Sequence, residues 1–147
     1  MKTRGACWLV RDKRRLVLAI MEELAGNAHM SFEGSLSHLK LATIPGASDE
    51  ETPALKRNTI WPKQDFIVVP LEPSLEKTIL STIGETLPKS IIHIQIEKAG
   101  TLEFGAYDNF YPECIFFGRA VPQTLLESLI SQGVLRLSRA SQSASQR

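Results

Sequence analysis

The chain has 147 residues, of which 43% are hydrophobic and 22% are charged, a composition typical of a single globular domain. Its formal net charge of +1 excludes the strongly basic balance of a non-specific nucleic-acid binder and the strongly acidic balance of a nucleic-acid mimic. Any partner must therefore be inferred from local features.

The residues that usually form redox or metal sites are few and scattered. Cys7 and Cys114 lie far apart and neither belongs to a C-x-x-C pair, so the sequence predicts two free thiols without a disulfide or zinc framework. His29, His38 and His93 lack the spacing of metal ligands. We expect no metal and no cofactor, since the sequence also lacks the glycine-rich phosphate-binding motifs and the nucleophile elbow.

The first ten residues carry several cations and are predicted to form a basic N-terminal arm, 1–10. Helix one is predicted over 11–25, where apolar residues recur at helical spacing. Its apolar run, Leu16 to Met21, is too short for the core of a secretory signal. Because every apolar segment is also far shorter than the roughly 18–20 residues that cross a bilayer, we predict a cytoplasmic protein without a membrane partner.

The first strand is predicted from Met30 to Leu36, with its polar side in water and Gly34 marking a bulge or a close backbone approach. A connection without regular patterning follows over 37–63, longer than compact domains usually allow. Within it, a short helix is predicted to begin at Thr52, because the hydroxyl can cap the helix and Pro53 suits its first position.

Phe66 to Val69 is continuously apolar, which predicts a strand covered on both faces at the centre of the sheet. Helix two is predicted to begin at Pro73 or Ser74 and to end before Pro88. Alternating apolar and polar residues then predict a hairpin within Ile91 to Tyr107.

A further apolar strand is predicted from Cys114 to Phe117, and a third helix from Pro122 to Gly133. Val134 to Leu137 predicts a short edge strand, and 138–147 predicts a disordered tail. Together these elements predict one α+β domain over 11–137, with a mainly antiparallel or mixed sheet of about five or six strands and about three helices packed on it.

The polar side of the predicted hairpin gathers ionisable and amide side chains on one face: His93, Gln95, Glu97, Glu103 and Tyr107. If this face were concave, an enzyme or small-ligand site would use His93, Glu103, Tyr107 and Asp108, with the histidine as the base. The simpler interpretation, which we favour, is a water-exposed face of an antiparallel sheet.

The segment after the hairpin places three aromatic residues in a turn, where burial does not by itself account for them. Rigid rings beside polar groups are typical of binding hot spots. We therefore predict a partner-binding loop made of Tyr107, Asp108, Asn109, Phe110, Tyr111 and Glu113. In the alternative interpretation, Phe110 pins the loop to the core while its polar neighbours make the turn.

A second candidate lies in the long connection, where cations flank an indole: Lys56, Arg57, Trp61 and Lys63. Such a combination can hold phosphate and stack a base or sugar, which would suit a weak nucleic-acid binder. The alternative is that Trp61 covers an end of the core and the cations are simply solvated. A third candidate pairs Cys114 with His93, as nucleophile and base. The alternative is that Cys114 is an inert buried thiol.

The leading functional prediction is a small protein-binding module rather than an enzyme. One specific version is a bacterial immunity or antitoxin-like inhibitor that covers the active site of another protein. Two alternatives remain: an enzyme or small-ligand protein using the polar sheet face, and a nucleic-acid binder using the basic-aromatic segment. A homodimer formed through the Val134–Leu137 edge is also left open.

Overall fold

The computed structural model describes residues 7–138, which form three α-helices and seven β-strands in two antiparallel sheets. The predicted α+β fold is therefore confirmed. The helices are α1 (Lys13–Leu24), α2 (Glu76–Ile83) and α3 (Gln123–Ser131). The strands are β1 (Trp8–Val10), β2 (Ala28–Gly34), β3 (Asp65–Pro70), β4 (Ile91–Lys98), β5 (Thr101–Ala106), β6 (Ile115–Phe117) and β7 (Leu135–Leu137).

The larger sheet has the strand order β3-β2-β4-β5-β6, and one of its faces contributes to the main hydrophobic core. Phe32, Ile94 and Phe104, from three adjacent strands, belong to the same buried cluster as Leu16 and Ile20 of α1. The alternating sequence pattern explains this arrangement, because every second side chain of a strand points to the same face. The opposite face therefore carries the polar residues.

Helix α1 is fixed at both ends by side chains. At its N-terminus, the Asp12 carboxylate accepts a hydrogen bond from the backbone N–H of Arg15 at 3.1 Å. At its C-terminus, the Lys98 ammonium donates to the carbonyl oxygens of Leu24 at 2.9 Å and Gly26 at 2.7 Å. A cation is favourable there because the last carbonyls of a helix carry partial negative charge, so the tip of the β4–β5 hairpin is tied to α1.

The prediction of a central strand at Phe66–Val69 is wrong, because β3 lies at the edge of the larger sheet. The strand is nevertheless covered on both faces. Leu55 of the long connection forms a second buried cluster with Phe66 and Val68, and Ser48 exchanges two backbone hydrogen bonds with Val68 at 2.9 and 2.7 Å. The long connection thus covers β3 in the place where the sequence pattern predicted neighbouring strands.

The helix expected to begin at Thr52 is also wrong. The Thr52 hydroxyl accepts from the N–H of Leu55 at 3.0 Å, and the Thr52 N–H donates to the carbonyl oxygen of Leu55 at 3.0 Å. The hydroxyl therefore closes a single turn instead of capping a helix. Within the connection, a short 3₁₀-helix forms earlier, at Leu41–Thr43.

The smaller sheet pairs the two ends of the described chain. Trp8–Val10, which the sequence assigned to a basic arm, forms β1 and pairs antiparallel with β7. The edge predicted near Val134–Leu137 is therefore occupied on one side by β1. Residues 1–6 of the predicted arm, and the predicted tail from 139 onward, lie outside the described residues.

The bulge predicted at Gly34 is confirmed, since the register between β2 and β4 shifts between Glu33 and Gly34. Gly34 has a φ of +151°, and a Cβ at this position would collide with the carbonyl oxygen of Ser90. Only glycine accommodates both constraints without moving the backbone. Glu33, whose side chain is important for the site described below, therefore lies at this bulge, one residue before the end of β2.

Candidate functional site

The polar face of the larger sheet is buried, against the expectation that water covers it. Six of its side chains are 9% exposed or less: Ser31, Glu33, His93, Gln95, Glu97 and Glu103. The long connection covers part of this face, and its residues supply several of the hydrogen-bond partners. Because buried polar groups are destabilising unless they are paired, these partners explain how the arrangement is tolerated.

Glu33 holds the long connection through two consecutive backbone amides. Its carboxylate accepts hydrogen bonds from the N–H groups of Asn58 at 2.8 Å and Thr59 at 3.1 Å. Hydrogen bonds to an ionised carboxylate are stronger than those between neutral groups. Glu33, which the sequence analysis did not select, is therefore an anchor for a segment that has no regular secondary structure.

Gln95 links the sheet, the connection and the loop after β5. Its amide nitrogen donates to the Ser31 hydroxyl at 3.0 Å and to the carbonyl oxygen of Lys56 at 2.9 Å. Its amide oxygen accepts from the Tyr107 hydroxyl at 3.1 Å. Both ends of this buried amide are thus satisfied, and each bond fixes a different part of the chain.

His93 bridges the two loops that the sequence selected as candidate surfaces. Its Nδ1 lies 3.1 Å from the backbone nitrogen of Asp108, and its Nε2 lies 2.7 Å from the Thr59 hydroxyl oxygen. A backbone N–H can only donate, so Nδ1 must be the unprotonated acceptor and Nε2 carries the proton. The neutral imidazole therefore connects the base of the 56–63 segment to the base of the 107–113 loop.

Three of the four residues that an enzyme site would use lie together, and Glu103 lies apart from them. The rings of His93 and Tyr107 lie 5.8 Å apart, and Asp108 contributes its backbone N–H to the imidazole. Glu103 lies beside Phe104, which pairs with Ile96, about 10 Å along β4 from His93 at the usual rise per residue. The Glu103 carboxylate instead accepts from the N–H of Ala120 at 3.0 Å.

Tyr107 covers a gap in the polar face. Its ring lies over Gly105, where an added Cβ would come within 2.6 Å of the ring carbon Cε2. Desolvation by burial raises the pKa of Tyr107 to about 12, because the phenolate would lose hydration. Its hydroxyl is therefore a hydrogen-bond donor at neutral pH, as its contact with Gln95 requires.

The 107–113 loop contains three successive residues in the left-handed backbone region. Asp108, Asn109 and Phe110 have φ values of 52°, 56° and 65°. This conformation costs roughly 1–2 kcal/mol for a residue such as Phe110, and less for Asp and Asn, whose short polar side chains tolerate it. It is held by the hydrogen bond from Asp108 to His93 and by the Asn109 N–H, which donates to the carbonyl oxygen of Ile92 at 2.9 Å.

The side chains of this loop divide into anchors and exposed groups. Phe110 is buried in the main core, and the Lys13 ammonium lies 5.5 Å from its ring centroid. In the orientation that satisfies both of its polar atoms, the Asn109 amide donates to the carbonyl oxygens of Lys89 and Ile91. Tyr111 is 56% exposed. Phe110 therefore lies where the alternative interpretation placed it, anchoring the loop to the core. Tyr111 remains available to a partner.

The acidic residues of the same loop, Asp108 and Glu113, are exposed on either side of Tyr111 in the sequence. Tyr107 is half-buried and directed into the polar face through Gln95. Among the six residues predicted to contact a partner, Tyr111 is thus the one whose aromatic side chain faces outward.

The 56–63 segment exposes two large apolar side chains at its tip. Ile60 is 94% exposed and Trp61 is 84% exposed, so Trp61 does not cover the core as its alternative interpretation required. We call these two residues the apolar tip. Ile60 was not among the predicted site residues, because a single aliphatic residue in an irregular segment gives no sequence signal of its exposure.

The cations around the apolar tip have different surroundings. The Arg57 guanidinium lies 5.1 Å from the Phe66 ring centroid and donates to the carbonyl oxygen of Gln64 at 2.6 Å. Its role is therefore largely to close the segment onto β3. Lys56 and Lys63 are exposed, and their charges flank the apolar tip.

An open cleft of about 440 Å³ lies between the long connection and β3, and its lining includes Lys63 and Gln64, which follow the apolar tip in the sequence. Apolar side chains that line it are Leu36, Leu39, Leu41, Phe66 and Ile67. Charged side chains that line it are Asp49, Arg57, Lys63 and Asp65. The cleft is within the size range of pockets that hold ring-containing groups, about 300–1,000 Å³.

The candidate pair of Cys114 and His93 is not joined by a hydrogen bond, since the two ring nitrogens of His93 face Thr59 and Asp108. The Cys114 sulfur lies 3.8 Å from an Asp108 carboxylate oxygen, and the side chain is half-buried. Desolvation raises the pKa of the Cys114 thiol, and the nearby carboxylates of Asp108 and Glu113 raise it further. This environment favours the protonated thiol, whereas a nucleophile requires the thiolate.

Within residues 7–138, no group of three or more histidine, cysteine or acidic side chains is arranged to hold a metal ion. Among the helices in that same range, none has the length and apolar character needed to span a membrane.

Comparison with known proteins does not place the chain in a group: no family model, curated protein or solved structure matches it. Evidence for its function therefore comes from the geometry of its own residues.

Proposed function

We propose that the chain is a protein-binding module and that the 107–113 loop is its contact surface. The observation that carries this proposal is the run of three left-handed residues, Asp108 to Phe110, held in a loop that exposes Tyr111. Backbone strain of this kind persists only where surrounding contacts enforce it, and it is concentrated at functional sites.

The loop has the properties of a preorganised hot spot. Phe110 and the His93 bridge fix its backbone before any partner arrives, which reduces the conformational entropy lost on binding. Tyr111 offers a rigid ring and a hydroxyl, and the carboxylates of Asp108 and Glu113 can orient a partner of complementary charge. We expect that partner to present an apolar pocket with basic groups at its rim.

The two alternative functions have less support from the geometry. Both ring nitrogens of His93 are engaged with Thr59 and Asp108, which leaves the imidazole without a free position for proton transfer. In the basic segment, Arg57 is engaged by Phe66 and Gln64, which reduces the charge available for phosphate. An immunity or antitoxin-like inhibitor remains one specific form of the protein-binding proposal.

Capture of partners from a lysate of the source cell tests this proposal. The bait is the full chain, the test variant is Tyr111→Ala, and the matched control is Ile130→Ala, which removes another partly exposed apolar side chain on α3. We expect Tyr111→Ala to weaken binding of the captured protein about 30-fold, equivalent to roughly 2 kcal/mol for a hot-spot aromatic. Ile130→Ala should bind like the wild type.

Circular dichroism of each variant establishes that it is folded before capture. A folded Tyr111→Ala chain that retains its partners with wild-type affinity would contradict the proposed contact surface. If the captured protein is an enzyme, an activity assay with and without the bait tests the inhibitor form of the proposal.

A further inference from the structure

The formal net charge of +1 averages two parts of the chain that have opposite charge. Of the 17 cations, nine lie in 1–15 and 134–147, together with one of the 16 acidic residues. These two terminal segments therefore carry a net charge of +8, whereas the residues between them carry −7. Charge asymmetry of this size within one chain is typical of proteins that bind a polyanion.

The fold joins the two basic segments, because β1 pairs antiparallel with β7. At one end of this pair, the Arg11 N–H donates to the carbonyl oxygen of Val134 at 2.8 Å. At the other end, the Ser138 N–H donates to the carbonyl oxygen of Cys7 at 2.8 Å. The parts of the chain before Cys7 and after Ser138 are therefore attached at the same edge of the smaller sheet, and they contain four cations and no acidic residue.

Three exposed arginines, Arg11, Arg15 and Arg136, lie in a row along this end of the fold. The Arg15 guanidinium donates to the side-chain oxygen of Gln132 at 2.8 Å. Two residues further on, Val134 accepts the backbone hydrogen bond from Arg11, and Arg136 follows after two more residues. We call these three arginines the arginine row.

The arginine row is not neutralised by carboxylates of its own chain. Among the described residues, none of its three guanidinium groups forms an ion pair. The acidic residue of the basic segments, Asp12, caps α1. Two neighbouring cations are engaged elsewhere, since Arg14 donates to the carbonyl oxygen of Gly84 at 2.6 Å and Lys13 lies over the Phe110 ring. Three like charges held close together raise the local positive potential, which favours an external anion.

The use of arginine in place of lysine indicates which anion fits. Seven of the nine cations in 1–15 and 134–147 are arginine, against two of the eight cations in the rest of the chain. A guanidinium donates two parallel hydrogen bonds to one phosphate, whereas attraction to an anionic membrane depends on charge and is similar for the two side chains. A row of separate phosphate-binding groups suits a polymer that carries a phosphate in every unit.

We propose that the arginine row binds the phosphodiester backbone of RNA or DNA. The contacts are to phosphates, so binding is independent of base sequence and depends strongly on salt. The row is distinct from the 107–113 loop and from the 56–63 segment, so this inference does not depend on the proposed protein-binding function.

Fluorescence anisotropy with the purified full chain tests the proposal. The probes are labelled single strands of RNA and of DNA, each about 20 nucleotides long, and the corresponding DNA duplex. We expect the wild type to bind at least one probe with a dissociation constant of about 1–100 µM at physiological salt, and the tightest probe identifies the preferred nucleic acid. A wild type that binds none of the three probes would overturn the proposal.

The double variant Arg11→Gln/Arg136→Gln tests the row itself. Among the described residues neither guanidinium makes a hydrogen bond, so the variant should fold, which circular dichroism checks. We expect its binding to be at least about 10-fold weaker than that of the wild type. The slope of the logarithm of affinity against the logarithm of salt concentration should fall by roughly 1.4 for a single strand and roughly 1.8 for the duplex.

The matched control is Lys56→Gln/Lys63→Gln. It removes two exposed cations from the 56–63 segment and changes the net charge by the same amount, so it should bind nearly as tightly as the wild type. Equal losses in the two double variants would assign the effect to overall charge and overturn the proposal. Wild-type affinity in a folded Arg11→Gln/Arg136→Gln chain would also overturn it.

Competition separates nucleic acid from other anionic partners. Vesicles that contain phosphatidylserine represent a membrane surface, and polyglutamate represents an acidic protein. At equal concentrations of negative charge, we expect each to displace the labelled probe at least about 10-fold less effectively than the same nucleic acid without a label. Displacement by either competitor that equals or exceeds displacement by the nucleic acid would assign the arginine row to that partner and overturn the proposal.

Discussion

Replacement of Glu33 with alanine should lower the free energy of unfolding by about 3 kcal/mol. The substitution removes two hydrogen bonds to a buried carboxylate and leaves the N–H groups of Asn58 and Thr59 without their acceptor. Urea denaturation followed by circular dichroism measures this loss. We also expect the long connection to become more sensitive to proteolysis between Thr52 and Gln64.

Glu51→Ala is the matched control for this prediction. The Glu51 carboxylate also accepts from a backbone N–H, that of Arg57 at 2.7 Å, but it is exposed to water. Water replaces an exposed acceptor, so this variant should lose less than about 1 kcal/mol. Equal losses of unfolding free energy in the two variants would show that burial does not strengthen the hydrogen bonds between Glu33 and the connection.

The second large effect is expected in alkaline solution and depends on Tyr107. The folded-state pKa of about 12 lies above the ordinary tyrosine value of 10.0, so the unfolded chain releases this proton first. The corresponding stability is present below pH 10 and is lost as the pH rises from 10 to 12. We expect a loss of about 2 kcal/mol, less than a two-unit shift would give, because the ring is only partly buried.

Tyr107→Phe separates this contribution from the titration of other groups. At pH 7 the variant should be about 1 kcal/mol less stable than the wild type, since Gln95 loses a hydrogen-bond donor. Between pH 10 and 12 this difference should fall to zero and then change sign, because the wild type loses about 2 kcal/mol that the variant, which has no phenol to titrate, does not lose. A constant difference across that range, measured by urea denaturation at each pH, would contradict the raised pKa.

The fold was largely accessible from sequence because its elements have clear local patterns. Alternating residues in 91–107 give the β4–β5 hairpin, and a 3.6-residue apolar period gives α1. The position of β3 was not accessible in this way. A continuous apolar run indicates that both faces are covered, but it does not distinguish a neighbouring strand from a folded connection that carries Leu55.

The candidate site was predicted less completely, for a related reason. Alternation correctly grouped His93 and Gln95 on one face, yet it could not show that Asn58 and Thr59 would lie against that face. Each of these contacts joins a strand residue to a residue of the irregular connection, 25 to 39 positions away in the sequence, so the contacts leave no periodic signal. Two features of the sequence indicated that this face could be covered. The neighbouring strand also carries polar residues, Ser31 and Glu33, and the connection that follows it is unusually long.

The central structural claim is that one buried polar face holds both surface loops. Amide hydrogen exchange measured by NMR on the wild-type chain tests it most directly. The account predicts that the amides of Asn58, Thr59 and Asp108 exchange slowly, because Glu33 and His93 accept their hydrogen bonds, while Ile60 and Trp61 at the apolar tip exchange rapidly. Rapid exchange at all five positions would contradict it.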